Sequence, residues 1–428
     1  VASVYAGLRG MMWGYYNLSE ITTDELVVPT RGSDWYDNGR WLELHRQGWQ
    51  EYSGSALDDM NGMWNDLFSG VARANLMISI VEPSNSPQKD VILAELRTLR
   101  AFYYYLLQSM FGGVPLVTNT EVTPRPRATR PEIFAFIESE LLATEVVLPP
   151  TWPASQYGRV TKSVANAILA SLYLNAGVFN RETGVSATAY NSCATVTIGT
   201  ETACAAAITA ADKVINSGFY NLNGSWFANF SNDNTTASAE NIFVVVHTAQ
   251  PGLGMSLPMR ALHYNQLVPS PWDGFAALAD TYNAFDAGDA RRDIFLIGQQ
   301  TSYNTGAPVQ DRTGNPLIFT DTIANIESAA ENEGPRLMKF PPLPGAPDGD
   351  SHPNDFTFFR LSEMHLIKAE AQNESGQTAA AITNINLVRA RHFTPPSPIA
   401  GGLSAAQVRD GPSPKSCRMP VCTLHQGL

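Results

Sequence analysis

Basic residues are scarce in this chain. Its 428 residues include 28 Lys and Arg against 40 Asp and Glu, a formal net charge of −12. Nucleic-acid surfaces neutralise phosphates with clustered cations, so this balance argues against DNA or RNA as a partner. Charge of either sign is thin, at 16% of residues, while Asn, Ser, Thr, Gly and aromatics are plentiful. Uncharged polar and aromatic surface suits a neutral ligand such as a sugar, and equally a secreted surface with no ligand. No run of about 18 apolar residues occurs, the length a membrane-spanning helix needs. Catalytic signatures are missing too: there is no Gly-x-Ser-x-Gly elbow, no His-Glu-x-x-His helix and no phosphate loop. The seven His are scattered, and neither a metal nor a cofactor is expected.

Cysteine is nearly absent, with Cys193, Cys204, Cys417 and Cys422 the only four. In an oxidising compartment Cys193 and Cys204 are expected to close a disulfide around a Thr/Ala/Gly-rich loop, worth about 3 kcal/mol by loop entropy. Two unpaired thiols are the alternative.

What the chain does have is a series of amphipathic helices. Periodicity predicts a short opening helix near Val4–Tyr16, then Leu57–Val81 and Lys89–Phe111. In the last of these Ile92, Leu96, Leu99, Tyr103, Leu106 and Met110 alternate by fours and threes, which places them on one face. Gly112-Gly113 and Pro115 stop it. A further helix starts near Pro131 and ends before Pro149-Pro150, and another follows Thr161, whose hydroxyl is expected to cap it. Three more are expected near Cys204–Asn216, Phe359–Glu374 and Thr378–Arg391. The acidic pairs Asp58/Asp59 and Glu138/Glu140 are expected on exposed helix faces, away from any cleft where a glycosidase would need two carboxyls. Between these helices, Gly218 to Asp355 is dense in Asn, Gly, Pro and Asp. One buried strand is expected at Asn241–Thr248 and one helix near Gly274–Asn283. Long irregular stretches of this kind usually carry function.

Four segments resemble the SusD/RagB family of outer-membrane nutrient-binding lipoproteins. They are Leu96–Tyr104 with Phe111–Val117, Tyr157–Lys162, Ala170–Gly177, and Phe359–Met364 running on to Lys368–Ala371. The resemblance implies a mainly α fold, a degenerate tetratricopeptide-like stack of helix pairs forming an α-α superhelix, with few short strands. Residues 1–428 are expected to form one such domain, with the scaffold mainly in 57–217 and 359–410 and the ligand surface in about 1–56 and 218–358. It also implies a signal peptide and an acylated Cys upstream of Val1, anchoring the protein to the extracellular face of the outer membrane. The partners implied are an oligosaccharide or polysaccharide and a SusC-like TonB-dependent transporter, with binding and handover in place of bond chemistry. Capture of peptides or another nutrient, and a helical adaptor with no small-molecule site, are the alternatives.

The ligand residues are read from chemistry. Sugars present C–H faces that stack on indole and hydroxyls that bond to Asp, Asn and Arg. One cluster, within Pro29–Trp41 and just beyond, offers Arg31, Asp34, Trp35, Trp41, His45 and Trp49. A second offers Tyr264, Asn265, Trp272 and Asp273, with Trp272 expected to be exposed beside a helix N-terminus. The run Asp286–Asp293 has carboxylates at short spacing but two Arg among them, so an ion-paired turn is expected there rather than calcium. At the other end, Gly402–Asp410 begins a helix capped by Ser404. Gly411-Pro412-Ser413-Pro414 breaks it, and residues 411–428 depart from the family pattern, as a change of reading frame near Asp410 would produce.

Overall fold

The computed structural model describes residues 1–50, 54–181, 184, 192–222 and 224–410. The segment 411–428, with Cys417, Cys422 and the expected change of frame, lies outside them. Eight helices carry the architecture: α1 Ala2–Gly10, α2 Leu57–Val81, α3 Lys89–Phe111, α4 Arg130–Glu145, α5 Lys162–Leu174, α6 Ala203–Ile215, α7 Leu361–Glu374 and α8 Thr378–Arg389. From α2 onward each packs on the helix before it. The contact between α6 and α7 bridges the whole irregular insertion, which therefore leaves the stack and returns to it. Four short strands matter here: β1 Leu26–Val27, β2 Asn241–Val245, β3 Ala276–Ala277 and β4 Phe356–Arg360. β2 pairs antiparallel with β4, which runs directly into α7.

In α3 the apolar row lies where the periodicity puts it, with Leu96, Leu99 and Tyr103 fully buried. Burial does not stop at that face. Thr98, Arg100 and Gln108 are buried as well, because α3 packs on both α2 and α4. Phe102 meets Phe243 of β2 and Phe358 of β4 edge-on, at 5.0 and 4.9 Å between ring centres. The Tyr103 ring reaches α2 only because position 70 is glycine; a Cβ there would lie 2.2 Å from the ring. Gly112, at φ +75°, turns the chain out of α3 as expected.

Two expectations about acidic pairs are corrected. Glu140 is buried, paired with Arg97 at 2.7 Å and Arg100 at 2.6 Å, and Asp59 is buried against Arg40. A buried carboxylate requires such partners, so these are anchors between elements. Glu138 accepts from the Tyr173 hydroxyl at 2.9 Å, and Asp58 is exposed. Capping also divides. Thr129 and Glu132 form a reciprocal capping box at α4 with Pro131 in its first turn, whereas Thr161 makes no side-chain cap at α5. There the Thr161 carbonyl accepts from Val164 N–H at 3.1 Å. Cys193 and Cys204 are joined by a disulfide at the start of α6. Asp289 pairs with Arg291 at 2.6 Å and Asp286 with Arg389 at 3.1 Å, an ion-paired turn.

A second core lies apart from the stack. Ile21, Val28, Trp41 and Leu44 pack there with Met259, Leu262, Leu267, Phe275 and Met338. The two irregular segments thus fold onto each other, and β1 pairs with β3 across them, Leu26 opposite Ala277. This pairing replaces the first part of the helix expected near Gly274–Asn283; only Ala279–Asn283 is helical.

Candidate functional site

The two sequence clusters, more than two hundred residues apart, meet on one face. Trp35 Nε1 donates to the Trp272 carbonyl at 2.6 Å, and the Tyr264 hydroxyl donates to Asp34 Oδ2 at 2.6 Å. Arg31 and Asp34 exchange backbone hydrogen bonds of 2.9 and 3.0 Å, closing a tight turn that presents Trp35. Trp35 takes φ +60°, a conformation costly for a bulky L-residue. Among the described residues, the non-glycine positions at positive φ are Trp35, Asp37, Asn38, Gln47 and Asp273, all within the spans of these two clusters. Backbone strain gathered this way is held by its surroundings and is common where a ligand is gripped.

Below this turn the rings are layered. Trp35 packs on Trp41 at 5.3 Å and Phe275 at 5.8 Å, while Trp13 meets Trp41 at 6.4 Å and Trp272 at 6.0 Å. Gly274 is required beneath Trp35, since a Cβ would fall 2.5 Å from the indole.

The expected ligand residues divide by burial. Asp34, Trp35 and Tyr264 are half-buried and Asn265 is exposed, its side chain donating to the Gln310 carbonyl at 2.8 Å. Arg31, Trp41 and Asp273 turn inward, which corrects their expected direct contact with a ligand. Asp273 is 0% exposed between Arg336 at 2.9 Å and Arg31 at 3.7 Å. Arg31 also donates to the Ala330 and Glu333 carbonyls, and Trp41 Nε1 donates to Asp37 at 2.6 Å. Trp272 is half-buried against Trp13, and no helix starts beside it, so its expected exposed ring is also corrected. Trp49 packs partly buried on the second core. His45 closes the short helix Arg40–His45 with Nδ1 unbonded.

Three neighbours were not legible as site residues. Arg312 lies over the Tyr264 ring at 4.3 Å, pairs with Asp34 at 3.2 Å and also pairs with Glu331. Glu331 in turn accepts from His263 at 2.9 Å. Tyr36 is 56% exposed, beside Trp35 in sequence. Only Tyr36 left a signal, as an aromatic in the first cluster; Arg312 sits in an Asp-Arg-Thr-Gly-Asn stretch that reads as a plain turn. Two groups on this face have their protonation set by their neighbours. Burial and the bond to Asp34 push the Tyr264 phenol up, so it stays a donor. Burial would raise Glu331, but hydrogen bonds from His263 and Arg312 outweigh it and hold the carboxylate low.

A half-buried aromatic face ringed by Asp, Asn, Arg and Tyr tips can stack a flat apolar surface and bond its edge. Two family models cover most of the chain. One, described as starch-binding associating with outer membrane, matches residues 11–174; the other, described as the SusD family, matches residues 187–408. The chain belongs to the SusD/RagB family. Among SusD relatives, the SusD-like protein P2 of Formosa agariphila is 24% identical over 369 residues, covering 80% of this chain and 65% of its own length. The chain thus spans about two thirds of that relative. A SusD homologue from Bacteroides thetaiotaomicron superposes with a TM-score of 0.71 at 19% identity, over 99% of this chain and 83% of its own. Surface glycan-binding protein A from Bacteroides thetaiotaomicron, solved with laminarihexaose, gives 0.67 at 17%, over 96% and 85%. At these identities the structures establish the SusD fold, and the helix stack described above is that fold. Among the described residues no helix is long and apolar enough to cross a membrane.

Proposed function

We propose that this SusD-family protein captures an oligosaccharide at the cell surface on the face formed by Asp34, Trp35, Tyr36, Tyr264, Asn265 and Arg312. It then passes the sugar to a SusC-like TonB-dependent transporter, held at the outer membrane by a lipid anchor. The observation that carries the proposal is the convergence of the two clusters. Aromatic rings and fixed donors and acceptors lie side by side at the Trp35–Trp272 and Asp34–Tyr264 bonds. Trp35 and Tyr36 supply stacking surface, while Asp34, Asn265 and Arg312 reach hydroxyls. The buried residues Arg31, Trp41 and Asp273 hold the turn in place. The family description names starch, and one neighbour was solved with laminarihexaose, which favours a neutral glycan. One stacked ring with a few exposed hydrogen bonds of about 1 kcal/mol each gives affinities of about micromolar to millimolar.

A glycan array on the purified protein tests this. A defined set of neutral oligosaccharides should bind, and Trp35→Ala and Asp34→Ala should each weaken binding at least about tenfold, or about 1.4 kcal/mol, with an unchanged far-ultraviolet spectrum. Retained binding in both variants would remove the site from this face. The protein should release no reducing ends from a polysaccharide that it binds.

A further inference from the structure

A cleft of about 110 Å³ is lined by Arg9, Trp13, His247, Ser256, Arg260 and Phe356 among others, and by none of the residues of the proposed sugar face. No Asp or Glu lines it. A water needs about 10–15 Å³ of such space, so the cleft has room for several waters or one small polyatomic ion. Arg260 is 2% exposed, yet its guanidinium makes one long hydrogen bond, Nη1 to Asn17 Oδ1 at 3.3 Å. Its Nε is buried without a partner. The guanidinium lies 3.7 Å above the Trp13 ring, and a cation–π contact offsets only part of its desolvation. Arg9 reaches the same cleft while donating Nη2 to the Val246 carbonyl at 2.9 Å, and His247, buried, leaves Nδ1 unbonded. Asp350 and Asp355 act on Arg260 and Arg9 through space without hydrogen-bonding to them.

We infer that this cleft is an oxyanion site, in which Arg9 and Arg260 bind a sulfate, phosphate or carboxylate group. A buried guanidinium with an unpartnered Nε, a second one held by a single backbone carbonyl, an aromatic floor and no carboxylate in the lining make a cationic, partly desolvated pocket. Such groups bind oxyanions through paired N–H bonds. The site is separate from the Trp35 face and does not depend on that face binding sugar.

The test is calorimetric titration of the whole protein with sodium sulfate at constant ionic strength, beside sodium chloride as control. One saturable site with a dissociation constant below about 1 mM is expected. Arg9→Gln and Arg260→Gln should each weaken it at least about tenfold. Ser256→Glu, which builds a carboxylate into the cleft, should abolish sulfate binding and raise Tm, while Ser256→Gln should do neither. This pair keeps the test decisive if Arg260→Gln fails to fold. Glucuronate compared with glucose separates a free ion from an acidic sugar as the source of the group. The inference is overturned if wild type shows no saturable sulfate binding, or if Ser256→Glu leaves both binding and Tm unchanged.

Discussion

Asp273→Ala should unfold the site from beneath. Asp273 has no solvent exposure, and its carboxylate stands between Arg336, also fully buried, and Arg31. Removing one partner of a buried ion pair costs about 3–5 kcal/mol, because the remaining charge stays desolvated. Here the loss is cushioned. Arg336 also donates to the Glu331 and Glu333 carbonyls, and Arg31 to those of Ala330 and Glu333 and to the Asp273 carbonyl itself, which alanine retains. The lower end, about 3 kcal/mol, is therefore the expected charge term. Alanine adds a backbone term, since position 273 sits at φ +50°, where Asp and Asn are tolerated and alanine costs about 1 kcal/mol more. The expected total is about 4 kcal/mol, a large share of the 5–15 kcal/mol that typically holds a domain folded. Asp273→Asn keeps an acceptor for Arg336 and the backbone preference but loses the charge, so about half that loss is expected. Guanidinium unfolding followed by tryptophan fluorescence measures both, with Trp35 and Trp272 reporting locally. The reasoning fails if alanine falls within about 0.5 kcal/mol of wild type, the range of an ordinary surface substitution.

Three further outcomes follow from the fold. In α2, Gly62→Ala, with nothing near its Cβ, should stabilise by about 0.5–1 kcal/mol, while Gly70→Ala, 2.2 Å from the Tyr103 ring, should destabilise by about 1–3 kcal/mol. Thermal melts of both would expose an error if the two shifts had the same sign. Replacing Cys193 and Cys204 together by Ser removes the disulfide and should lower stability by about 3 kcal/mol; reducing wild type should reproduce it, and no shift in either would refute the assignment. Burial raises the Glu363 carboxyl from 4.5 to about 8. Its contribution is therefore fully present below pH 4.5 and lost as pH rises toward 8. Glu363→Gln should flatten the fall in unfolding free energy between pH 5 and pH 8, and an unchanged slope would contradict the assignment.

Helix positions were legible because each is written in local periodicity and punctuation. Leu57–Val81 and Lys89–Phe111 can be placed from their apolar spacing and the Gly112-Gly113 stop. The pairing of Cys193 with Cys204 was legible as a short loop. Burial on the remaining faces was not. Glu140 and Asp59 look like solvent residues along the chain and become anchors only because Arg100 and Arg40 are folded against them. The segment after Asp273 was misread for a related reason, since its backbone bonds go to distant β1 in place of its own next turn.

The sequence by itself determined the family, the helical stack and the two stretches where aromatic and polar side chains concentrate. These depend on residues a few positions apart, and a linear pattern records them. Only the tertiary structure decided which members of those stretches face outward. Trp35 and Trp41 are six residues apart and equally aromatic, and they pack on each other, yet Trp35 stays half-buried while Trp41 is sealed in the core. Asp34 and Asp273 are the same side chain, one open beside Tyr264 and one sealed between two arginines. Their difference comes from contacts 63 to 242 residues apart in the chain, which set the desolvation and the charge each side chain meets and leave no trace in local spacing.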